Sequence, residues 1–206
     1  MKIIGLTGPS GAGKGLACDI FARYGIPSVN TDAVYHTLLE SHTPLRDELT
    51  EAFGQDILES GRVDRKKLAQ SVFGHTDTAQ RVHTLNAITH KYIMAQTWKE
   101  IKAFGERGAR AAIIDAPQLF EAEIQNDCDF VVGVLAPVEQ RLARVIARDG
   151  ITAETAENRF SAQKDEGFYR THCQYILENN TDTATLEQQI RHFLVTSGLG
   201  LDGEKK

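Results

Sequence analysis

The opening segment combines an apolar run, a glycine-rich turn and an amphipathic helix, and this combination constrains the fold more than any other part of the chain. Lys2–Thr7 is a short β-branched run of the kind found in buried strands. The residues from Gly8 to Gly15, GPSGAGKG, match the pattern G-x-x-x-x-G-K-[ST] at every position except the last. Apolar residues then recur at helical spacing, and the Tyr24–Pro27 segment predicts the end of that helix. A strand, a glycine-rich turn and a helix start direct the helix N-terminus at an anion.

The chemistry of this pattern predicts a nucleotide site. Its backbone N–H groups surround phosphates, its lysine reaches the β- and γ-phosphates, and its final hydroxyl is a ligand of Mg²⁺. Lys14 is therefore a catalytic candidate, while Gly15 supplies no hydroxyl. The pattern predicts phosphate binding and leaves open how Mg²⁺ is held. The predicted nucleotide-binding residues are Gly8, Ser10, Gly11, Ala12, Gly13, Lys14, Gly15 and Leu16.

Length and composition narrow the class of protein. A chain of 206 residues with 41% hydrophobic content can bury a full core as one domain with an insertion or lid. The net charge of −5 argues against a protein that coats nucleic acid. Three cysteines without a C-x-x-C pair argue against a disulfide framework or a zinc site. With no predicted signal peptide or membrane span, we expect a cytoplasmic monomer or small homo-oligomer that acts on a small molecule, without nucleic-acid or membrane partners.

Strands and helices alternate in the predicted secondary structure. Further strands are predicted at 27–31, 111–115, 130–135 and 174–177, with helices at 137–148 and 153–165 and a closing amphipathic helix. A helix follows the second strand, with Thr31 or Asp32 as its N-cap. Residues 44–103 are expected to be mostly helical and carry no strong strand signal, with Asp64 as one cap and a long helix at about 78–104. Residues 201–206 are predicted to be a frayed polar tail. This order predicts an α/β fold with a parallel sheet covered on both faces.

Two aspartates follow predicted strands, where α/β proteins place their ligands. Asp32 is a candidate general base for a hydroxyl acceptor, and helix capping is its structural alternative. Asp115 ends an apolar run as a metal-holding acid would, and a turn or cap is again the alternative. Both are candidate metal ligands.

A helix after the predicted 130–135 strand carries clustered arginines. Arg144 and Arg148 are four residues apart, so they share a face of that helix just before the Asp149–Gly150 break. Two such cations suit a lid that closes on a triphosphate, and we predict both as catalytic residues. Arg141, on the same helix, is not included. The alternative is a solvated helix face, with Glu139 and Asp149 as partners.

Along nearly its whole length, to about residue 195, the chain resembles the dephospho-coenzyme A kinase family of P-loop kinases. Similar segments follow one another in the family's order. They are Ile4–Lys14, Gly25–Pro27, Asp32, Asp64–Ala69 with Val72–Phe73, His90, Pro117 with Leu119–Glu121, Arg144, Arg148–Gly150, Arg159, Gln163 and Asn179–Asn180.

The resemblance implies a three-layer P-loop kinase fold with a central parallel sheet, a helical substrate-binding region and a helical lid. One domain, 1–206, would have its core at about 1–34, 105–143 and 171–200, its CoA-binding region at about 35–104 and its lid at about 144–170. The implied reaction is transfer of the ATP γ-phosphoryl group to the ribose 3′-hydroxyl of dephospho-CoA, with Mg²⁺. The implied substrate contacts are Asp32, Asp64, Arg65, Lys66, His90 and Phe120, and Asn179 is an implied nucleotide contact.

Four residues depart from the family's pattern: Asn30 for Asp, Lys91 for Pro, Gln118 for Leu, and Gly15 for the hydroxyl residue. Two alternatives stay open. One is a kinase for another small nucleoside or nucleotide, and the other, which Gly15 favours, is a non-catalytic nucleotide-binding homologue.

Overall fold

The secondary structure alternates as the sequence predicts. The structure, a computed structural model, describes residues 1–200, so the predicted tail lies outside the described residues. Its strands are β1 (Lys2–Thr7), β2 (Ser28–Asn30), β3 (Leu58–Glu59), β4 (Arg62–Val63), β5 (Ala111–Asp115), β6 (Phe130–Leu135) and β7 (Tyr175–Glu178). Its α-helices are α1 (Lys14–Arg23), α2 (Thr31–Ser41), α3 (Thr43–Phe53), α4 (Arg65–Val72), α5 (Thr78–Glu106), α6 (Val138–Asp149), α7 (Ala153–Ser161), α8 (Glu166–His172) and α9 (Thr183–Thr196).

The chain divides into two compact units. Among the described residues, one unit contains 1–29 and 103–200, and the other is Asn30–Lys102. The finer division into core, substrate region and lid stays a prediction. No helix within residues 1–200 is both long and apolar enough to cross a bilayer.

A five-stranded sheet with the order β2-β5-β1-β6-β7 organises the first unit. The central strand β1 pairs in parallel with β5 on one side and with β6 on the other, placing Ile4 beside Ile113 and Gly5 beside Val131. β7 extends the sheet in parallel beyond β6. The predicted parallel sheet is confirmed, and the buried character of β1 and β5 follows from their position inside it.

Helices α1 and α9 pack on one face of this sheet. Phe21 and Phe193 meet edge-on, with ring centroids 5.9 Å apart, over the fully buried side chains of Ile4 and Leu6. Their packing fixes α1 against β1. The turn between these two elements is thus held at both ends.

A short β-hairpin interrupts the second unit, within the 44–103 region that is predicted to be mostly helical. β3 and β4 pair antiparallel through Ser60 and Gly61, whose φ angles are 50° and 78°. Two consecutive left-handed residues form the tight turn that best matches strand twist. Two-residue strands are too short to show an alternating pattern, which is why the sequence did not reveal them.

Two helix termini also differ from prediction. The N-cap of α2 is Asn30, not Thr31 or Asp32, because its Oδ1 accepts a hydrogen bond from the Ala33 N–H at 2.8 Å. The helix predicted at 153–165 ends at Ser161, since Asp165 caps the separate helix α8 by accepting from the Phe168 N–H. The predicted Asp64 cap is confirmed, its carboxylate accepting from the Lys67 N–H at 2.8 Å. Because Asn30 is the N-cap of α2, Asp32 does not cap this helix.

Candidate active site

The loop between β1 and α1 depends on glycine for both conformation and space. Gly13 has φ 100°, and a Cβ atom there would lie 2.1 Å from Asn179 Nδ2. Gly8 has φ 143°, and its Cβ would lie 2.2 Å from the Val134 carbonyl oxygen. L-residues with side chains rarely adopt such φ values. The loop can hold this shape only with glycine at these two positions.

Three successive carbonyls of the loop, at residues 10–12, each accept a hydrogen bond from a distant side chain. The donors, in order, are Arg141 Nε at 2.9 Å, Arg144 Nη1 at 3.2 Å and Asn179 Nδ2 at 2.8 Å. A peptide C=O and the following N–H point to opposite sides of a planar unit. The N–H groups of Gly11 and Gly13 therefore face away from these donors, the orientation that an anion-binding loop requires.

Lys14 opens α1 at the end of this loop. Its half-buried side chain donates from Nζ to the Gly8 carbonyl at 3.3 Å, so the ammonium lies back over the loop. One turn later, burial raises the pKa of the Cys18 thiol to about 12, and the negative charge of Asp115 contributes to the rise. Asp115 ends β5 and is 4% exposed. The ammonium of Lys14 and the carboxylate of Asp115 thus lie in the same unit as the loop.

The two predicted lid arginines occupy different environments. Arg144 contacts the loop at Gly11 and also donates to the Asn179 carbonyl at 3.3 Å. Arg148 instead pairs with Asp149, with Nε 2.7 Å from Oδ1, and Arg159 pairs with the other oxygen of that carboxylate. These two cations hold the pKa of Asp149 well below its usual range. The structure brings Arg144, but not Arg148, to the loop.

Arg141 is a loop contact that the sequence interpretation did not include. It is 9% exposed, and its guanidinium lies 4.3 Å from the centre of the Phe160 ring while it donates to the Ser10 carbonyl. Burial lowers the pKa of this guanidinium. The three-residue spacing between Arg141 and Arg144, which puts both on one helix face, was the available signal.

Phe120, a predicted substrate contact, belongs to an aromatic cluster of the first unit. Its ring meets Phe168 edge-on at 5.1 Å and His172 at 5.8 Å. Phe168 and His172 stack on each other at 4.1 Å. The cluster is half-buried or exposed, so it offers an apolar surface to a ligand.

The second unit contains the remaining predicted substrate residues. Asp32 lies exposed in the first turn of α2. His90 is half-buried on α5, and burial lowers the pKa of its imidazole. A cleft of about 980 Å³ lies wholly within this unit and is lined by charged and apolar residues of α2, α4 and the hairpin, among them His36, Glu40, Glu59, Asp64, Arg65, Lys66 and Lys67. Three of the predicted substrate residues therefore share one cleft.

The Mg²⁺ ligands predicted from the sequence, Asp32 and Asp115, are both carboxylates. Gly15 is exposed, and a Cβ atom there would meet nothing within 4 Å. No group of three or more His, Cys, Asp or Glu side chains within residues 1–200 has the arrangement of a metal site. Mg²⁺ usually keeps several waters and needs one or two carboxylates beside substrate phosphates, so a single carboxylate such as Asp115 fits its chemistry.

The parallel sheet, the glycine loop and the lysine at the start of α1 define the P-loop class of phosphate-binding proteins. Within that class, the family model for dephospho-CoA kinase matches residues 2–185. The chain belongs to the dephospho-CoA kinase family, a family of transferases. The resemblance drawn from the sequence is thereby confirmed.

Curated relatives and solved structures agree with this assignment. The dephospho-CoA kinase of Arabidopsis thaliana is 34% identical over 196 residues, covering 95% of this chain and 83% of that protein. The Corynebacterium glutamicum dephospho-CoA kinase is 33% identical, covering 87% and 89%. A Thermus thermophilus crystal structure aligns with a TM-score of 0.83 at 27% identity, covering 97% and 98%. Shikimate kinase from Acinetobacter baumannii, at 17% identity and a TM-score of 0.54 with 97% and 96% covered, shares the fold, so the predicted P-loop kinase fold is confirmed.

Proposed function

We propose that this protein is an active dephospho-CoA kinase of the cytoplasm, a monomer or small homo-oligomer, that transfers the γ-phosphoryl group of ATP to the ribose 3′-hydroxyl of dephospho-CoA with Mg²⁺. The family match over residues 2–185 is the observation that carries the proposal. The loop with Lys14 and the carboxylate of Asp32 support it, because together they supply phosphate binding and a proton acceptor.

The loop and its supports would hold the nucleotide. The N–H groups turned away from the clamped carbonyls, together with the N-terminus of α1, suit the β-phosphate. The ammonium of Lys14 would bind the γ-phosphate and neutralise charge on the oxygens of the transferred group. The reaction needs little covalent chemistry from the protein, so positioning and positive charge supply most of the rate.

Asp32 is the proposed base. It would accept the proton of the 3′-hydroxyl as that oxygen bonds to the γ-phosphorus and as the bond from the γ-phosphorus to the bridging oxygen breaks. ADP then leaves with the bridging oxygen. An exposed carboxylate that is not the cap of its helix is available to a substrate hydroxyl.

The cleft of the second unit is the proposed acceptor site. Arg65 and Lys66 would pair there with the phosphates of dephospho-CoA, and Asp64 would contact its polar groups. His90 and Phe120 are further proposed substrate contacts outside the residues that line this cleft. Asp32 and Asp115 are each proposed as a carboxylate ligand of Mg²⁺, with water as the ion's other ligands. The ion neutralises charge on the phosphates when bound.

The metal ligand is tested by restoring a hydroxyl at Gly15. Because a Cβ atom there would meet no atom within 4 Å, Gly15→Ser is expected to fold normally. We expect it to lower the Mg²⁺ concentration that gives half-maximal rate by about tenfold, the lower end of the effect of groups that orient a metal's ligands. Gly15→Ala is the matched control, since it adds the Cβ without the oxygen. Equal Mg²⁺ dependence in the two variants would show that a hydroxyl at this position does not reach the ion.

A panel of acceptors separates the proposed function from its two alternatives. ATP consumption is measured with dephospho-CoA, with adenosine and with AMP, beside ATP binding by calorimetry. The proposal predicts turnover with dephospho-CoA far above the other two. Turnover favouring a different acceptor would support a kinase for another nucleoside or nucleotide, and tight ATP binding without turnover would support the non-catalytic homologue.

A further inference from the structure

Ser10, in the middle of the phosphate loop, has all three of its polar groups bound by two distant side chains. Its N–H donates to Gln163 Oε1 at 3.1 Å, and its Oγ accepts from Gln163 Nε2 at 2.7 Å. Its carbonyl accepts from Arg141 Nε at 2.9 Å. Arg141 Nη2 also donates to Gln163 Oε1 at 3.4 Å, which closes the ring of contacts. The side-chain amide of Gln163 is thus matched to Ser10 at both its oxygen and its nitrogen.

Gln163 is itself fixed at the end of α7. Its N–H donates to the Phe160 carbonyl at 3.0 Å, and the Phe160 ring lies against the Arg141 guanidinium. The helix is anchored by Ala156, which is fully buried, and is capped by Thr152 through the Thr155 N–H. The amide therefore reaches Ser10 from an ordered helix end within the predicted lid segment, residues 144–170.

The glycines of the phosphate loop make the loop costly to order, so contacts from outside it are expected to matter. Gly8, Gly11 and Gly13 all have positive φ angles, and glycine loses more conformational freedom on ordering than any other residue. Without external contacts, ATP binding would have to supply that ordering free energy itself. Moreover, no side chain at Gly15 can help to order the loop through a metal.

We propose that Gln163 is a positioning residue for ATP, which pre-orders the phosphate loop by bridging Ser10 to Arg141 and so makes the loop's conformation depend on the lid segment. This inference rests on the proposed ATP-dependent function. Gln163 touches the loop backbone and one hydroxyl, so it acts through Ser10 and not on the substrate. We call the contacts of Gln163 with Ser10 and Arg141 the bridge. We expect it to affect ATP binding and not the acceptor cleft of the second unit.

The bridge is tested by calorimetric ATP binding and by steady-state kinetics of Gln163→Ala. We expect the Kd and KM for ATP to rise by about tenfold, as for the loss of one to two net hydrogen bonds, with the KM for dephospho-CoA within twofold of the wild-type value. Asn158→Ala, which removes an exposed amide from the same helix, is the matched control and should change neither constant. Melting temperatures of both variants verify that they are folded.

A double-mutant cycle with Ser10→Ala identifies the bridge itself. The fold increase in the Kd for ATP should be smaller in the double variant than the product of the fold increases in the two single variants. The reason is that both changes remove the same Oγ contact. Independent effects, or an equal rise in the KM for ATP and for dephospho-CoA, would overturn the positioning role. Because ATP binding is measured without an acceptor, a wild-type protein that binds ATP but does not turn over contradicts the kinase reaction alone. A wild-type protein that does not bind ATP contradicts both proposals.

Discussion

Replacing Asp32 with alanine is expected to lower kcat by about 10³-fold, within the range that general-base catalysis contributes. The Kd for ATP measured without Mg²⁺ should stay within twofold of the wild-type value, because without the ion the Asp32 carboxylate acts on the acceptor hydroxyl and not on the nucleotide. The N-cap of α2 is Asn30, so removing the Asp32 carboxylate leaves that helix terminus intact. The loss of rate can therefore be assigned to chemistry and not to unfolding.

Two further variants sharpen this prediction for Asp32. Asp32→Asn keeps the size of the side chain but cannot accept the proton, and it should be as slow as Asp32→Ala. Asp56→Ala removes another exposed carboxylate of the same unit and should leave the rate unchanged. A rate for Asp32→Asn close to that of the wild-type protein would make Asp32 a surface residue and would leave the reaction without its proposed base.

Gly13→Ala is expected to abolish ATP binding, with a rise in Kd of at least about 100-fold. The added Cβ would lie 2.1 Å from Asn179 Nδ2, and the residue has φ 100°, so the loop must abandon either its conformation or its contact with Asn179. Strain of this kind costs about 1–3 kcal/mol even before the contact is lost. We also expect a lower melting temperature, since Asn179 is buried and its amide would lose its bond to the Ala12 carbonyl.

Gly15→Ala is the matched control for Gly13→Ala. It lies two residues further along, in α1, where a Cβ meets no atom within 4 Å, and alanine favours a helix over glycine by about 1 kcal/mol. It should bind ATP as the wild-type protein does and melt at the same or a higher temperature. The double variant Gly13→Ala with Asn179→Ala removes the steric contact but keeps the unfavourable φ, so it should recover only part of the binding. ATP binding by Gly13→Ala at the wild-type level would contradict the loop geometry described above.

Local sequence patterns account for most of the fold. The apolar run before Gly8, the glycines of the loop and the helical spacing after Lys14 each report on neighbouring residues, so β1, the loop and α1 could be predicted together. The hairpin of β3 and β4 could not, because its strands are shorter than one alternating repeat. The N-cap of α2 was assigned one or two residues too late, since Asn30, Thr31 and Asp32 are all residue types that cap helices.

The supports of the loop were the least predictable part of the candidate site. Gln163 and Ser10 are 153 residues apart, and Arg141 and Ser10 are 131 apart, so no local spacing relates them. Arg148, selected for sharing a helix face with Arg144, pairs with its neighbour Asp149 instead. Sequence patterns placed the arginines on the right helix. Which guanidinium reaches the loop depends on how α6 packs against the loop. That packing involves residues far apart in the sequence, so local spacing does not predict it.

The proposed phosphoryl transfer is tested by identifying the product formed from ATP and dephospho-CoA. Purified protein is incubated with both compounds, with Mg²⁺ or with a chelator, and the product is analysed by ³¹P NMR and mass spectrometry. We expect stoichiometric ADP and a new phosphate monoester on the ribose 3′-oxygen, formed only with Mg²⁺ and not by Asp32→Asn. ATP hydrolysis without a phosphorylated acceptor, or a phosphate at any other position, would contradict the proposed transfer.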